Sequence, residues 1–325
     1  MITVNLIADY ATVFMRQSPR GDGVWEDVRF VVNSLETTDY CVVFNGINHP
    51  LKLHCRQDNI WLLMQESPTP FWKHLHVGND DYGRILTNDT DLVGSRFFYT
   101  QPANNWHVGF SYGELKSMQP CIKHKEISAV ISNQQVLECQ RIRLRFLENF
   151  KKYMDLDHFG RGFNPVDKKW DALAPYKYSM AIENYRNAYY WTEKIADCFL
   201  AWSMPIYCGC SRITEYFPSE AMIIFDMEDP NAIEKIQSSI AEKAWEKNRE
   251  AIEYARNLVL DHYQLLPFLA NNIRSHISSF GGGRNDFPEQ WVHPVIIKKD
   301  MLDRYVKYVR RVVGLVKRLT VGGVY

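Results

Sequence analysis

Tyr176-Lys-Tyr-Ser-Met-Ala-Ile-Glu183-Asn-Tyr-Arg-Asn-Ala-Tyr-Tyr-Trp-Thr192-Glu-Lys194, an apolar segment, and then Met204-Pro-Ile-Tyr-Cys-Gly209 read in order as a strand, a polar loop, a helix and a second strand. Thr192 is a good N-cap, and Glu193 suits the positive end of the helix. Lys194 is a cation where the macrodipole disfavours one, so it asks for an anion. Helix N-termini at the carboxyl ends of strands in α/β sheets bind phosphates, and a lysine there adds a full charge to the backbone donors. The stretch reads as a site for a phosphorylated ligand; the alternative is an ammonium group that is simply solvated.

Working outward, short apolar runs alternate with helical patterns, which predicts two α/β units. Ile2–Ala8, Tyr40–Asn45, Ile60–Met64, Arg84–Leu86 and Phe97–Thr100 are candidate strands of the first unit, and Glu126–Ser132 opens the second. Apolar residues at 136, 137, 142, 144, 146, 147 and 150 predict an amphipathic helix over 134–153, followed by a short strand at Leu156–Phe159. A polar stretch containing Pro120 puts the domain boundary near residue 122, giving units 1–122 and 123–325, the latter ending in a helical tail.

Composition narrows the class. The chain has 325 residues, enough for two cores, and Lys plus Arg equals Asp plus Glu at 38 each, which argues against a nucleic-acid binder. Seven cysteines without framework spacing favour a reduced compartment, and Cys208-Gly-Cys210 is too tight for a metal pair. The start Met1-Ile-Thr-Val lacks a basic, long apolar leader, and nowhere do eighteen apolar residues run together, so the expected location is cytoplasmic. Asp300–Leu319 reads as a basic amphipathic helix that either lies on an anionic membrane face or packs back on the first unit.

Several clusters carry possible chemistry. Arg161, between glycines in His158-Phe-Gly-Arg-Gly-Phe163, can approach a ligand closely and offer a bidentate guanidinium. Ile60-Trp-Leu-Leu-Met-Gln-Glu66-Ser-Pro presents a lone carboxylate at a strand end. Asp89-Thr-Asp91 has the form of a metal-binding Asp-x-Asp, while Glu242, Glu246 and Glu250 at intervals of four read as one solvated helix face. Phe280-Gly-Gly-Gly-Arg-Asn-Asp286, lacking a phosphate-loop context, reads as a loop after a helix that carries Leu265–His276. Aromatic residues make up 14% of the chain, and Trp61, Phe71, Trp72, Trp106 and Tyr112 are candidates for a sugar platform, most of them expected to be core. Loops 66–82 and 101–122 are where a bound molecule's identity would be read.

The stretch from Tyr176 to Lys194 resembles the donor-binding motif of glycosyltransferase family 10, the α-1,3/1,4-fucosyltransferases, in its soluble bacterial or viral type. Glu183-Asn184, Tyr190 and Thr192-Glu193-Lys194 match in spacing, as do Pro205, Ile206 and Gly209; Tyr185 replaces the usual serine. Ile131-Ser132-Asn133 with Arg141, the turn around Arg161, and Glu66-Ser-Pro extend the likeness. The resemblance implies a GT-B fold, two Rossmann-like domains facing across a cleft, and inverting transfer of L-fucose from GDP-fucose to a glycan, oligosaccharide or lipopolysaccharide hydroxyl. It implies Glu66 as general base, Arg161 and Lys194 on the pyrophosphate, and Asn184, Tyr190, Glu193, Ser132 and Asn133 around the donor. No metal is required, a divalent ion being at most stimulatory. Two rival readings stand beside it: a metal-dependent transferase that uses Asp89 and Asp91 with another nucleotide sugar, and a non-catalytic glycan-binding or assembly protein.

Overall fold

The computed structural model describes residues 1–8, 11–280 and 288–294. Strands β1 (Ile2–Ile7), β2 (Val24–Trp25), β3 (Val28–Val32), β4 (Tyr40–Phe44), β5 (Leu51–His54), β6 (Ile60–Leu63), β7 (Arg84–Thr87) and β8 (Phe97–Tyr99) fall in the first third of the chain. All but β5 form a seven-stranded sheet in the order β2-β3-β1-β4-β6-β7-β8, parallel except for the edge strand β2. β4 and β6 are buried at every residue, as the central strands of a sheet covered on both faces must be, and they read in sequence as continuous apolar runs.

Strands β9 (Lys125–Val130), β10 (Asp157–Phe159), β11 (Tyr176–Ile182), β12 (Met204–Cys208) and β13 (Ile223–Ile224) form a second, wholly parallel sheet in the order β10-β9-β11-β12-β13. The strand order reverses between β9 and β11, so their carboxyl ends open the crevice where doubly wound sheets bind ligands. The helices are α1 (Lys73–Val77), α2 (Tyr112–Ser117), α3 (Glu138–Phe150), α4 (Glu193–Leu200), α5 (Ala232–Ala241), α6 (Ala244–Lys247), α7 (Arg249–Leu258) and α8 (Leu265–Phe280). A last strand, β14 (Glu289–Val292), pairs antiparallel with β5.

The division between cores departs from a single cut at residue 122. Trp106, Val108 and Leu115 already pack in the second core, whereas Ala103 belongs to the first. After α7 a π-helical turn, Val259–Tyr263, leaves the second core, and α8 buries Leu265, Leu266, Leu269, Ala270 and Ile273 against the first sheet. The first unit is therefore built from both ends of the described chain, and the second lies between them. The reason is amphipathic: α8 carries an apolar stripe that needs a sheet face to cover it, and the turn at Val259–Tyr263 directs it to the first sheet.

Other differences are local. β2, β3 and β5 were not expected, being short and interrupted by Arg29 and Lys52. The continuous face at 242, 246 and 250 does not form, because Lys243 is left-handed (φ 60°) and separates α5 from α6. Most of the glycine-rich loop and the whole basic tail lie outside the described residues. Among the described residues no helix is long and apolar enough to cross a membrane.

Candidate active site

The site is organised from the end of β11. Glu183, the next residue, is fully buried, and its backbone N–H donates to the carbonyl of Cys208. Its carboxylate accepts from the Thr192 backbone N–H at 2.8 Å and from the Thr192 hydroxyl at 2.8 Å, with the Lys194 ammonium 3.3 Å away. One acid thus clamps the far end of the polar loop and fixes the start of α4. Gly209 permits it: a Cβ there would lie 2.5 Å from Glu183 Cγ and 2.5 Å from the Tyr207 hydroxyl. Thr192 caps the helix through the Lys194 backbone N–H.

Lys194 does find an anion, but inside the chain. Its Nζ lies 2.9 Å from the Thr192 hydroxyl, 3.3 Å from Glu183 and 3.4 Å from Glu193, and the side chain is 18% exposed. Burial works against its charge, yet the two carboxylates outweigh it and raise its pKa. Burial also pushes the Glu193 carboxyl up, and Lys194, Lys169 and His107 reverse this, holding it at about 2. Glu183 moves the other way, because burial dominates over Lys194.

A second cation stands beside Lys194, and it is Arg143 rather than Arg161. Arg143 of α3 is 4% exposed, donates to Asn184 Oδ1 at 2.5 Å, and feels both Glu183 and Glu193. Its Nε has no hydrogen-bond partner among the described residues. Arg161 is exposed, and no described side chain pairs with it. The flanking glycines are required by the turn's own packing, since a Cβ at Gly160 would strike the Ile131 carbonyl and one at Gly162 the Asn133 amide. Ser132 and Asn133 follow β9 and lie beside this turn, where the Asn133 N–H donates to the Arg161 carbonyl at 2.9 Å. Sequence reading missed Arg143, although its place on the buried face of α3 with Leu144, Leu147 and Phe150 was a signal.

Glu66 reaches the same centre from the first unit. It follows β6, its N–H lies 3.3 Å from Asn45 Oδ1, and its carbonyl accepts from Asn88 at 3.0 Å. Burial raises its pKa; Lys194 pulls it down and Glu193 pushes it up, which puts the three groups within electrostatic range of one another. Tyr190, 5% exposed, is near enough to Glu66, Glu183 and Glu193 to feel their charges. Asn187, also missed, donates to the Asn88 carbonyl at 2.5 Å while its Oδ1 accepts from the N–H groups of Tyr189 and Tyr190. Both units are thereby tied together around Glu66. Within α4, buried Asp197 pairs with Lys169 at 2.7 Å and accepts from the His107 N–H at 2.9 Å.

The remaining candidates separate. Asp91 is bound to Lys73 at 2.5 Å, and Asp89, 3% exposed, accepts from the Asp91 N–H, so the Asp-x-Asp is a turn already neutralised by a lysine. Among the described residues no group of three His, Cys, Asp or Glu could hold a metal ion. Cys210 donates to the Ala188 carbonyl. Of the five aromatic candidates, Trp61 is wholly buried, Trp106 is core and bonds the Phe110 carbonyl, and Tyr112 bonds Asp261. Phe71 and Trp72, half-buried and edge-to-face at 4.4 Å, sit just after Glu66-Ser67-Pro68.

Two doubly wound units, with the α4 N-terminus of one near a lone carboxylate of the other, have the architecture of the GT-B fold. Residues 121–250 match the family model described as glycosyltransferase family 10 (fucosyltransferase) C-term. It is 28% identical over 182 residues to 3-galactosyl-N-acetylglucosaminide 4-alpha-L-fucosyltransferase FUT3 of Pan troglodytes, covering 54% of this chain and 46% of that protein. It is 30% identical over 114 residues to the Bos taurus FUT3, covering 33% and 30%. The chain thus spans less than half the length of these relatives. A crystal structure of an alpha1,3-fucosyltransferase aligns with 15% identity and a TM-score of 0.49, over 88% of this chain and 91% of that one.

Proposed function

We propose that the protein is an inverting fucosyltransferase that moves L-fucose from GDP-fucose to a hydroxyl of a glycan or lipopolysaccharide. The observation that carries this is the convergence of Glu66 from one unit with Lys194, Glu193 and Arg143 from the other. The family domain and the names of the relatives support the donor class.

In this reading the GDP phosphates bind at the α4 N-terminus and draw Lys194 and Arg143 toward them. Glu66 takes the proton from the acceptor hydroxyl as its oxygen bonds to C1 of fucose. The C1–O bond to the β-phosphate breaks on the opposite face, and the negative charge appearing on GDP is held by the two cations. Burial of Glu66 raises its basicity for this task. Glu193, ionised throughout, is suited to accept from ribose or fucose hydroxyls. No step requires a metal. The reaction is expected in the cytoplasm; membrane contact through the basic tail concerns residues outside those described.

Calorimetric titration with GDP, GDP-fucose, GDP-mannose and UDP-glucose in excess chelator tests the reading. Selective binding of GDP-fucose is expected. Binding of UDP-glucose alone, or binding only after manganese is added, would overturn it.

A further inference from the structure

A cavity of about 480 Å³ lies on the second unit, lined among others by Trp202, Trp245, Tyr254, Arg249, Glu250 and Asn257. Its position is fixed by β12. Trp202 comes two residues before that strand begins; the Trp245 indole donates to the Trp202 carbonyl at 2.9 Å, and its backbone N–H donates to the Tyr178 hydroxyl at 3.0 Å. Glu183 and the α4 N-terminus are at the carboxyl edge of the same sheet. The cavity is at the amino edge, about one five-residue strand away, or ~16 Å. It is a separate place from the candidate active site.

Its lining divides into groups already engaged and groups still free. The Trp202 indole donates to Glu253 and carries the Arg256 guanidinium on its face at 3.8 Å, while Arg249 lies 5.2 Å from the Trp245 ring. These contacts hold the indoles as a rigid wall. In contrast, the Glu250 carboxylate, the Tyr254 hydroxyl, the Asn257 amide and the N–H groups of Arg249 have no hydrogen-bond or ion-pair partner among the described residues. Tyr254 is 59% exposed, a large ring left in solvent at the rim.

The chemistry of that combination is selective. Arg249 and Glu250 balance in charge, and Glu253 faces Arg256 at 3.9 Å, so the lining favours a neutral ligand. Aromatic walls suit apolar C–H faces, and a carboxylate, an amide and a guanidinium make planar two-point hydrogen bonds to vicinal hydroxyls. An apolar peptide side chain would leave those polar groups unpaired at a cost. A pyranose offers both an apolar face and a hydroxyl rim, and the volume is within the ordinary range of small-ligand sites.

We infer that this cavity is a second saccharide-binding site, which holds a neutral part of a glycan remote from the reacting hydroxyl. The inference rests on the reading of the protein as a glycan-modifying enzyme. Tethering at the far edge would raise the local concentration of a long acceptor at the cleft and leave a short one unaffected.

The test uses the full chain saturated with GDP, with N-acetyllactosamine, its hexasaccharide trimer and maltohexaose as probes and tryptophan fluorescence as readout. A Tyr254→Ala, Glu250→Ala double variant removes two exposed groups, and its thermal melt checks that the fold is kept. The inference expects at least one hexasaccharide to bind, Glu66→Gln to bind it equally, and the double variant to bind it at least fivefold more weakly. It also expects KM for long acceptors to rise in the double variant while kcat on a disaccharide stays the same. Binding by none of the probes, or equal binding by the double variant, overturns it. Failure of the transferase reading is distinguishable: the parent would then transfer no fucose, whatever the fluorescence shows.

Discussion

Replacing Arg143 by alanine discriminates most sharply between what the sequence suggests about phosphate binding and what the structure adds. Arg143 is 4% exposed and stands beside Glu183, Glu193 and Lys194, with its Nε unpaired among the described residues. A hydrogen bond to a charged group contributes about 1.5–3 kcal/mol. Loss of one such contact to a diphosphate therefore weakens GDP binding by about 10- to 150-fold. The same change orphans Asn184 Oδ1 and removes a positive neighbour of two buried carboxylates, so the melting temperature should fall as well. Arg143→Lys keeps the charge but loses the planar fork, and should lie between parent and alanine.

Calorimetry with GDP in chelator, at a temperature where every variant is folded, is the assay. Arg161→Ala is the internal control: exposed and unpaired in the described structure, it should change GDP affinity by less than about threefold, a surface-sized effect. If Arg143→Ala binds GDP like the parent while Arg161→Ala loses tenfold or more, the pairing of Arg143 with Lys194 is the wrong clamp.

The other expectations are shorter. Glu66→Gln should lower kcat about a hundredfold or more with little change in GDP affinity; equal kcat would remove Glu66 as base. The acidic limb of the kcat/KM profile should fall above the ordinary carboxylate range, because burial raises the Glu66 pKa and activity needs the ionised form. Lys194→Gln removes a cation that lowers that pKa, so any residual activity should show the limb shifted further toward alkaline pH; a limb at or below pH 4 in the parent contradicts the assignment. Asp91→Asn breaks the ion pair with Lys73 and should leave transfer in chelator nearly intact, whereas manganese-dependent activity abolished by this change would revive the metal-dependent alternative.

Much of the architecture was legible because parallel sheets are buried on both faces. Tyr40–Phe44, Ile60–Leu63 and Met204–Cys208 appear as unbroken apolar runs, and no tertiary information is needed to see them. β2 was hidden because two residues are too few for a pattern, β3 because Arg29 interrupts its apolar run, and β5 because its partner, β14, lies far away in sequence. The placement of α8 on the first sheet was equally hidden. Its apolar stripe says that it packs, but not on which of two sheets, and only the π-helical turn at Val259–Tyr263 redirects it.

The site shows the same division between local and non-local information. A lysine at a helix N-terminus does require an anion, and sequence reasoning found it, but the anions in contact are Glu183 at 3.3 Å and Glu193 at 3.4 Å. The two acids are ten positions apart in sequence, and Gly209 lets the chain after β12 approach Glu183. Glu183 and Glu193, the latter held ionised at about 2, face Lys194 and Lys169, and Arg143 adds a further cation that both acids feel. The pair of cations is thus kept charged and oriented before any ligand arrives, as electrostatic stabilisation of a leaving group requires. Gly209→Ala tests this directly. A Cβ at 2.5 Å from both Glu183 and the Tyr207 hydroxyl must displace one of them, at about 1–3 kcal/mol in stability. If that displacement also costs GDP affinity, the buried acid is what positions Lys194; if stability falls while GDP binds as before, Lys194 finds the phosphate without it.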